Sequence, residues 1–85
     1  SDKPLEVGIV FYMPIPKSAS KRAKASMDLG EIKHIKKPDL DNMAKAVLDA
    51  LNGLAYIDDS QIYSLTLYKT YSEQPGTYLK ITESE

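Results

Sequence analysis

A periodic apolar segment in the middle of the chain constrains the fold more than any other feature. Pro38 and Asp39 precede this segment, and Asp39 is a suitable N-cap for a helix. Asn52 and Gly53 follow it, and glycine readily adopts the left-handed conformation that ends many helices. The sequence therefore predicts a helix at about residues 40–52. Its apolar residues recur at the three- and four-residue spacing of one helix face: Leu40, Met43, Ala44, Val47, Leu48 and Leu51.

Three other segments have the alternating pattern of β-strands. Apolar and polar residues alternate at residues 4–13 and again at 61–71. In the second segment the alternation places Leu65 and Leu67 on one face and Ile62 on the other. Pro75-Gly76 fits the central positions of a type II turn. We therefore expect residues 78–83 to return as a third strand that pairs with the second.

A second helix and an extended segment complete the predicted order of elements. Ser18 or Ser20 is suited to cap a helix that ends near Leu29 and Gly30. Residues 31–37 are expected to lead extended into the central helix. The order β-α-(β)-α-β-β, with this extended segment in brackets, predicts an α+β domain. A small mixed β-sheet would carry two helices on its surface.

Composition limits the classes of protein to which the chain can belong. With 85 residues, 42% hydrophobic and 27% charged, it suits one globular domain with a modest core. The absence of cysteine excludes disulfides and cysteine-based metal sites. No apolar run approaches the roughly 20 residues of a membrane span, and Ser1 begins nothing like a signal peptide. A cytoplasmic protein without a membrane partner is the simplest interpretation.

The net charge of −1 divides into a basic and an acidic part. Residues 17–45 hold eight basic and four acidic side chains, a net charge of +4, whereas residues 46–85 carry a net charge of −4 and residues 1–16 a net charge of −1. A basic segment beside acidic residues suits a protein that binds the phosphate backbone of a nucleic acid. The alternative is a solvated, charged helix at residues 18–29.

The acidic residues gather at both ends of the predicted central helix. Asp39 and Asp41 lie at its start, Lys45 follows one turn later, and the pair Asp58-Asp59 comes after its end. Carboxylates placed together repel unless a cation lies between them, and Mg²⁺ prefers oxygen ligands. Bound Mg²⁺ assists phosphodiester hydrolysis. This interpretation requires that the helix start and the following strand start meet in the fold.

Each of these residues also has an ordinary structural interpretation. Asp39 could serve only as an N-cap. Asp41 could interact favourably with the helix dipole and form an ion pair with Lys45. Asp49 is then a further i, i+4 partner of Lys45. His34, the one histidine, is expected at the surface. The tyrosines are expected to pack in the core or on the sheet and not to stack on nucleic-acid bases. Asp58-Asp59-Ser60 could be a solvated turn. No glycine-rich phosphate loop, Gly-x-Ser-x-Gly elbow or zinc spacing suggests another enzyme class.

The combined pattern resembles one known family. It comprises a basic residue, Pro-Asp-x-Asp-Asn, a lysine three residues later, and an Asp-Asp pair at the start of a strand. Over about residues 16 to 83 the chain is similar to the RusA-type Holliday junction resolvases of phages, prophages and their bacterial hosts. The residues that carry the resemblance are Lys37, Pro38, Asp39, Asp41, Asn42, Lys45, Asp58 and Asp59.

The resemblance implies a homodimeric, Mg²⁺-dependent endonuclease that places paired, symmetric nicks in four-way DNA junctions. It implies that Asp39, Asp41 and Asp59 are catalytic residues and metal ligands, with Lys45 as the catalytic lysine. Asp58 is either a further ligand or a turn residue. Family members usually carry an additional N-terminal strand, so we expect residues 1–85 to form one domain without it. The residues expected to bind DNA are Lys21, Arg22, Lys24, Lys36, Lys37 and Lys69.

Two other functions remain open at this point. The chain could be a module that binds branched DNA but no longer cleaves it, as an inactive prophage remnant would. Cleavage of a junction with Mg²⁺ and not with EDTA would separate these two functions. A structural or regulatory dimer without nucleic acid is the third alternative, and it predicts no salt-dependent binding to junction DNA.

Overall fold

The N-terminal strand forms the centre of a three-stranded sheet in the computed structural model, which describes all 85 residues. The elements are β1 (Leu5–Pro14), α1 (Lys21–Asp28), α2 (Leu40–Leu51), a short 3₁₀ helix (Asp59–Gln61), β2 (Ile62–Ser72) and β3 (Gly76–Glu83). The sheet order is β2-β1-β3, with β1 parallel to β2 and antiparallel to β3. This confirms the predicted α+β fold with a small mixed sheet and two helices.

The core lies between one face of β1 and the apolar stripe of α2. Side chains alternate across a strand, so Leu5, Val7, Ile9 and Phe11 share one face, and all four are buried. Tyr56, from the segment after α2, completes this cluster. The stripe that predicted the central helix packs against it through Leu40, Met43, Val47, Leu48 and Leu51.

The predicted pairing of the last two strands is wrong. β3 pairs with β1, from Leu5 opposite Glu83 to Tyr12 opposite Gly76, and not with β2. Gly76 lies inside the strand without the positive φ that a type II turn requires. Residues 73–75 instead pass the end of β1. This arrangement gives β1 a hydrogen-bonding neighbour on each edge, which a buried strand needs for its backbone N–H and C=O groups.

Two smaller predictions about strands also differ from the structure. Residues 31–37 form no strand, because their backbone pairs with no other strand of the sheet. In β2 an irregularity places Ile62 opposite Leu5 and Ser64 opposite Glu6. Ile62 therefore packs on the core together with Leu67, not on the opposite face as the simple alternation predicted.

Both predicted helices form, and their ends follow from local residues. Ser20 caps α1 by accepting a hydrogen bond from the Ala23 amide at 3.1 Å. α2 ends where the backbone of Asn52 becomes extended. Gly53 has a φ of +82°, which favours glycine, in the turn that follows, and its amide donates to the Tyr56 carbonyl oxygen. Asp39 precedes α2, but its carboxylate makes no capping hydrogen bond. Neither helix has the length and apolar composition that crossing a lipid bilayer requires.

Candidate active site

Asp39 and Asp41 lie at the start of α2, where the helix dipole favours negative charge. The Lys37 ammonium is 3.0 Å from Asp39 Oδ1, and this ion pair takes the place of the predicted helix cap. The Lys37 side chain is 86% exposed and that of Asp39 48% exposed, so the pair contributes little stability. Asp41 is exposed in the first turn. Both carboxylates are therefore accessible to a ligand.

Lys45 lies one turn further along α2 and is exposed. The pair Lys37–Asp39 is the one ion pair within 4.0 Å in the structure. The predicted pairing of Lys45 with Asp49 is therefore wrong, and the alternative pairing of Asp41 with Lys45 is not formed either. Exposed pairs of this kind contribute little stability, so their absence costs the helix little. The Lys45 ammonium is free to contact an anionic ligand.

Lys69 of β2 holds the segment that enters α2. Its ammonium donates hydrogen bonds to the carbonyl oxygens of Lys36 at 2.8 Å and Pro38 at 3.0 Å. Two of its three donors are thereby used within the protein. The side chain, which the sequence assigned to DNA binding, attaches the residues before Asp39 to the sheet.

His34 lies beside this attachment and is half-buried rather than fully exposed. Its ring centroid is 4.7 Å from that of Tyr71, with an angle of 56° between the planes. Its Nδ1 atom is buried and has no hydrogen-bond partner. Burial lowers the pKa of His34, and the positive charge of Lys69 lowers it further. A neutral imidazole is the form that this environment favours.

Asp59 lies at the other end of α2 and is held there by Tyr56. The Tyr56 hydroxyl donates to Asp59 Oδ1 at 2.8 Å and lies 3.2 Å from the Leu48 carbonyl oxygen. Burial raises the pKa of Tyr56 to about 12, and the hydrogen bond to Asp59 contributes. The phenol is therefore a neutral donor that fixes the Asp59 carboxylate against the last turns of α2.

Asp58 caps the short 3₁₀ helix. Its Oδ2 accepts hydrogen bonds from the Ser60 amide at 3.1 Å and from the Ser60 hydroxyl. These bonds lower the pKa of Asp58, the hydroxyl contributing most. Gln61 completes a capping box through its Oε1 atom, which accepts from the amides of Ile57 at 2.8 Å and Asp58 at 2.9 Å. This geometry fits the turn alternative for Asp58.

The three predicted metal ligands do not come together in this structure. Asp39, Asp41 and Asp59 form no group that could hold a metal ion. The link from Asp59 to Leu48 places it seven residues beyond Asp41 on α2, about 10 Å along the helix axis. Oxygen ligands of one Mg²⁺ lie about 2.1 Å from the ion, hence within about 4 Å of each other. This arrangement of carboxylates does not fit one shared divalent ion.

Two residues that the sequence interpretation missed set the position of Asp59. Tyr56 holds its carboxylate, and nothing in the sequence around Tyr56 signals that role. Gln61 attaches the turn to the start of the chain, because its Nε2 atom donates to the carbonyl oxygens of Ser1 at 3.0 Å and Lys3 at 2.9 Å. The spacing from Asp58 to Gln61 is that of a capping box and could have indicated this turn.

The residues expected to bind DNA occupy two segments of the surface. Lys21 and Arg22 are exposed in the first turn of α1. Lys36 and Lys37 are exposed just before α2. Lys24 and Lys69 are half-buried, and Lys69 is engaged by the backbone as described above. Four of the six basic residues thus present their charge to solvent.

Comparison with known proteins places these residues in a family. The family described as "Endodeoxyribonuclease RusA" matches residues 1–82. A protein of Bacillus subtilis (strain 168), "Uncharacterized protein YqaN", is 43% identical over 82 residues, covering 94% of this chain and 58% of the relative. The chain thus spans little more than half the length of that relative. No solved structure matches the chain.

Proposed function

Because the chain belongs to the RusA endodeoxyribonuclease family, we propose that it cleaves DNA at four-way junctions, through paired symmetric nicks and with Mg²⁺ as cofactor. The family match over residues 1–82 is the observation that supports this function most strongly. The predicted site residues all lie within the matched range. The substrate would be a Holliday junction, and the biological roles would be DNA recombination and repair.

We assign the catalytic roles to Asp39, Asp41, Asp59 and Lys45. The exposed carboxylates of Asp39 and Asp41 would serve as metal ligands, with Asp59 as the third. A single ion bound by all three requires Asp59 to lie closer to the start of α2 than it does here. Lys45, which has no acidic partner, would contact the scissile phosphate and stabilise the negative charge that develops there.

DNA binding is assigned to the basic segment. The net charge of +4 in residues 17–45 provides the attraction to the phosphate backbone. Lys21, Arg22, Lys36 and Lys37 are exposed and would make phosphate contacts. Such contacts carry no sequence information, so recognition would depend on the shape of the junction.

A homodimer would supply two sites for the two nicks. The solvent-accessible surface is 5986 Å², whereas about 5,000 Å² is expected of a compact protein of this mass. The excess is similar to the roughly 800 Å² that each partner buries in a typical interface. Two-fold symmetry would match the two symmetric strands of a four-way junction.

A second function, binding to branched DNA without cleavage, is favoured by one observation. The carboxylates of Asp41 and Asp59 are held apart, and a metal-assisted nuclease needs its ligands together. In this case the basic segment would bind the junction, and the acidic residues would only make contacts that stabilise the fold.

One experiment separates the two functions. The purified protein is incubated with a labelled four-way junction and with a linear duplex of the same sequence, in Mg²⁺ or in EDTA. The proposal predicts nicking of the junction alone, and only with Mg²⁺. Salt-dependent binding of the junction without nicking in Mg²⁺ would favour the binding module and contradict the nuclease.

A further inference from the structure

An open groove lies where β1, β2 and α1 meet. It has a volume of about 360 Å³, and its lining includes Lys17, Lys24, Ser72 and Glu73. Pro14 and Pro75 contribute rigid, apolar parts of the lining. It is the one pocket in the structure. Nothing in the catalytic assignment uses it.

The charged side chains of the groove are not paired with each other. The structure has one ion pair, between Lys37 and Asp39, so Lys17, Lys24 and Glu73 each lack an ionic partner within 4.0 Å. Lys24 is half-buried in α1, whereas Lys17 is exposed. Two lysines against one glutamate give the groove a net charge of +1. It therefore favours an anion.

Ser72 adds a directed donor to this charge. Its Oγ atom accepts a hydrogen bond from the Gln74 amide at 3.1 Å, which fixes the orientation of the side chain. A hydroxyl that accepts one hydrogen bond still has its own O–H to donate. Two ammonium groups and a hydroxyl donor are the groups that bind a phosphate oxygen.

We propose that the groove lined by Lys17, Lys24 and Ser72 binds a phosphate group of the nucleic-acid backbone, away from the phosphate that is cleaved. The assignment deepens the proposed function and rests on it for the identity of the polymer. Its chemistry, capture of a tetrahedral anion by two lysines and a serine, is that of any phosphate.

The position of the groove fits one strand of DNA that also reaches the start of α2. Ser72 lies three residues beyond Lys69 in β2, about 10 Å along the strand. Lys69 contacts the backbone at Pro38, next to Asp39. The groove and the start of α2 thus lie at the same end of the sheet. A DNA strand that contacts both the groove and the start of α2 would be held in one position along its length relative to the acidic residues.

The first measurement tests the groove without DNA. Inorganic phosphate is added to the ¹⁵N-labelled protein, and amide chemical shifts are compared with those in chloride at equal ionic strength. The assignment predicts phosphate-specific shifts at Lys24, Ser72 and Glu73, and their loss in a Lys17→Ala/Lys24→Ala variant. Absence of these shifts in the unsubstituted protein would overturn the assignment.

The second measurement asks whether the bound phosphate belongs to DNA. Junction binding is measured in EDTA over a range of salt concentrations. Lys17→Ala/Lys24→Ala should weaken binding and reduce the slope of log K against log salt by about 1 to 2. Glu73→Gln should have the opposite effect and tighten binding. Lys3→Ala/Lys80→Ala, which removes two exposed lysines outside the groove, is the matched control.

The outcomes distinguish this assignment from the nuclease proposal. Opposite effects of the lysine and glutamate substitutions on junction affinity support a backbone phosphate in the groove, provided that the affinity of Lys3→Ala/Lys80→Ala stays closer to that of the unsubstituted protein. Phosphate shifts without any change in junction binding would mean that the groove binds free phosphate only, which overturns the DNA assignment. Cleavage enters neither measurement. If the protein binds junctions but does not cut them, the nuclease proposal is contradicted and the proposed phosphate site in the groove is unaffected.

Discussion

At the scale of single residues, the hydrogen bond from Tyr56 to Asp59 is the contact that most affects the proposed chemistry. It fixes Asp59 beside Leu48, on the opposite half of α2 from Asp39 and Asp41. The raised pKa of Tyr56, about 12, keeps the phenol protonated and donating at every physiological pH. Asp59 therefore has a defined position that does not depend on a bound ion.

Substitution of Asp59 tests its catalytic assignment with little effect on the fold. In Asp59→Asn the amide oxygen can still accept from Tyr56, so we expect a folded protein. Cleavage of junctions in Mg²⁺ should be lost, while junction binding is retained or tightened because one negative charge is removed. Asp49→Asn, on the exposed side of α2, is the control and should cleave normally. Retained nicking by Asp59→Asn would remove Asp59 from the site.

His34 makes folding stability depend on pH. Its pKa is lowered in the folded state by burial and then by Lys69, with a smaller contribution from Lys36. Below its ordinary pKa of about 6.5 the unfolded chain binds a proton more readily than the folded protein does. The free energy of unfolding should therefore fall as pH decreases from 6.5 towards the lowered pKa of the folded state.

Urea unfolding between pH 7.5 and 5.5 measures this dependence. His34→Phe keeps an aromatic ring against Tyr71 and removes the titrating group. The free energy of unfolding of this variant should change less over the interval than that of the unsubstituted protein. Equal pH dependence of the two proteins would show that other groups are responsible.

At the scale of elements, the attachment of α2 to the sheet depends on Lys69. Its two hydrogen bonds to the Lys36 and Pro38 carbonyl oxygens hold the chain immediately before the helix. Hydrogen bonds that involve a charged group contribute about 1.5–3 kcal/mol each when protected, and less when partly exposed. The entry to α2 is therefore fixed by β2 as well as by the apolar stripe.

Replacement of Lys69 distinguishes this role from DNA binding. Lys69→Met should lower the free energy of unfolding by about 1–3 kcal/mol and reduce amide protection in the first turn of α2. Lys80→Met removes an equal charge from an exposed position on β3 and should leave both quantities unchanged. If Lys69→Met weakened junction binding at unchanged stability, Lys69 would be a DNA contact and not an attachment of the helix.

The turn that follows α2 depends on a glycine. Gly53 has a φ of +82°, where a side chain costs about 1 kcal/mol, although open space surrounds it. Gly53→Ala should lower the free energy of unfolding by about that amount. Gly76→Ala, with equal space and no positive φ, should change it by less than about 0.5 kcal/mol. Thermal or urea unfolding of the two variants measures the difference, and equal effects would show that the positive φ of Gly53 carries no such cost.

Local patterns in the sequence predicted the elements, and contacts between distant segments decided their arrangement. The stripe from Leu40 to Leu51 and the alternation from Leu5 to Phe11 each indicated an element whose apolar face is buried. The position of β3 depends on β1, some 70 residues away, and the short connection after β2 misleadingly favoured a hairpin. The family pattern identified the acidic residues, but the contact of Asp59 with Tyr56 has no local signature.

At the scale of the whole molecule, the protein is elongated. Its radius of gyration is 15.2 Å, against about 12 Å for a compact domain of this length, and its extents are 48 × 21 × 17 Å. Seven of 85 residues are buried, so much of the apolar surface is left uncovered. A dimer would bury part of this surface and would place two copies of the basic segment around a two-fold axis.

Mapping the nicks on a four-way junction tests the central claim, that this chain is a junction-specific nuclease, most directly. Each of the four strands is labelled in turn, and the products are resolved at single-nucleotide length after incubation in Mg²⁺. A junction-specific nuclease should place one nick in each of two opposite strands, at symmetric positions, and none in EDTA. An uncut junction, or equal cutting of junction and linear duplex, would contradict it.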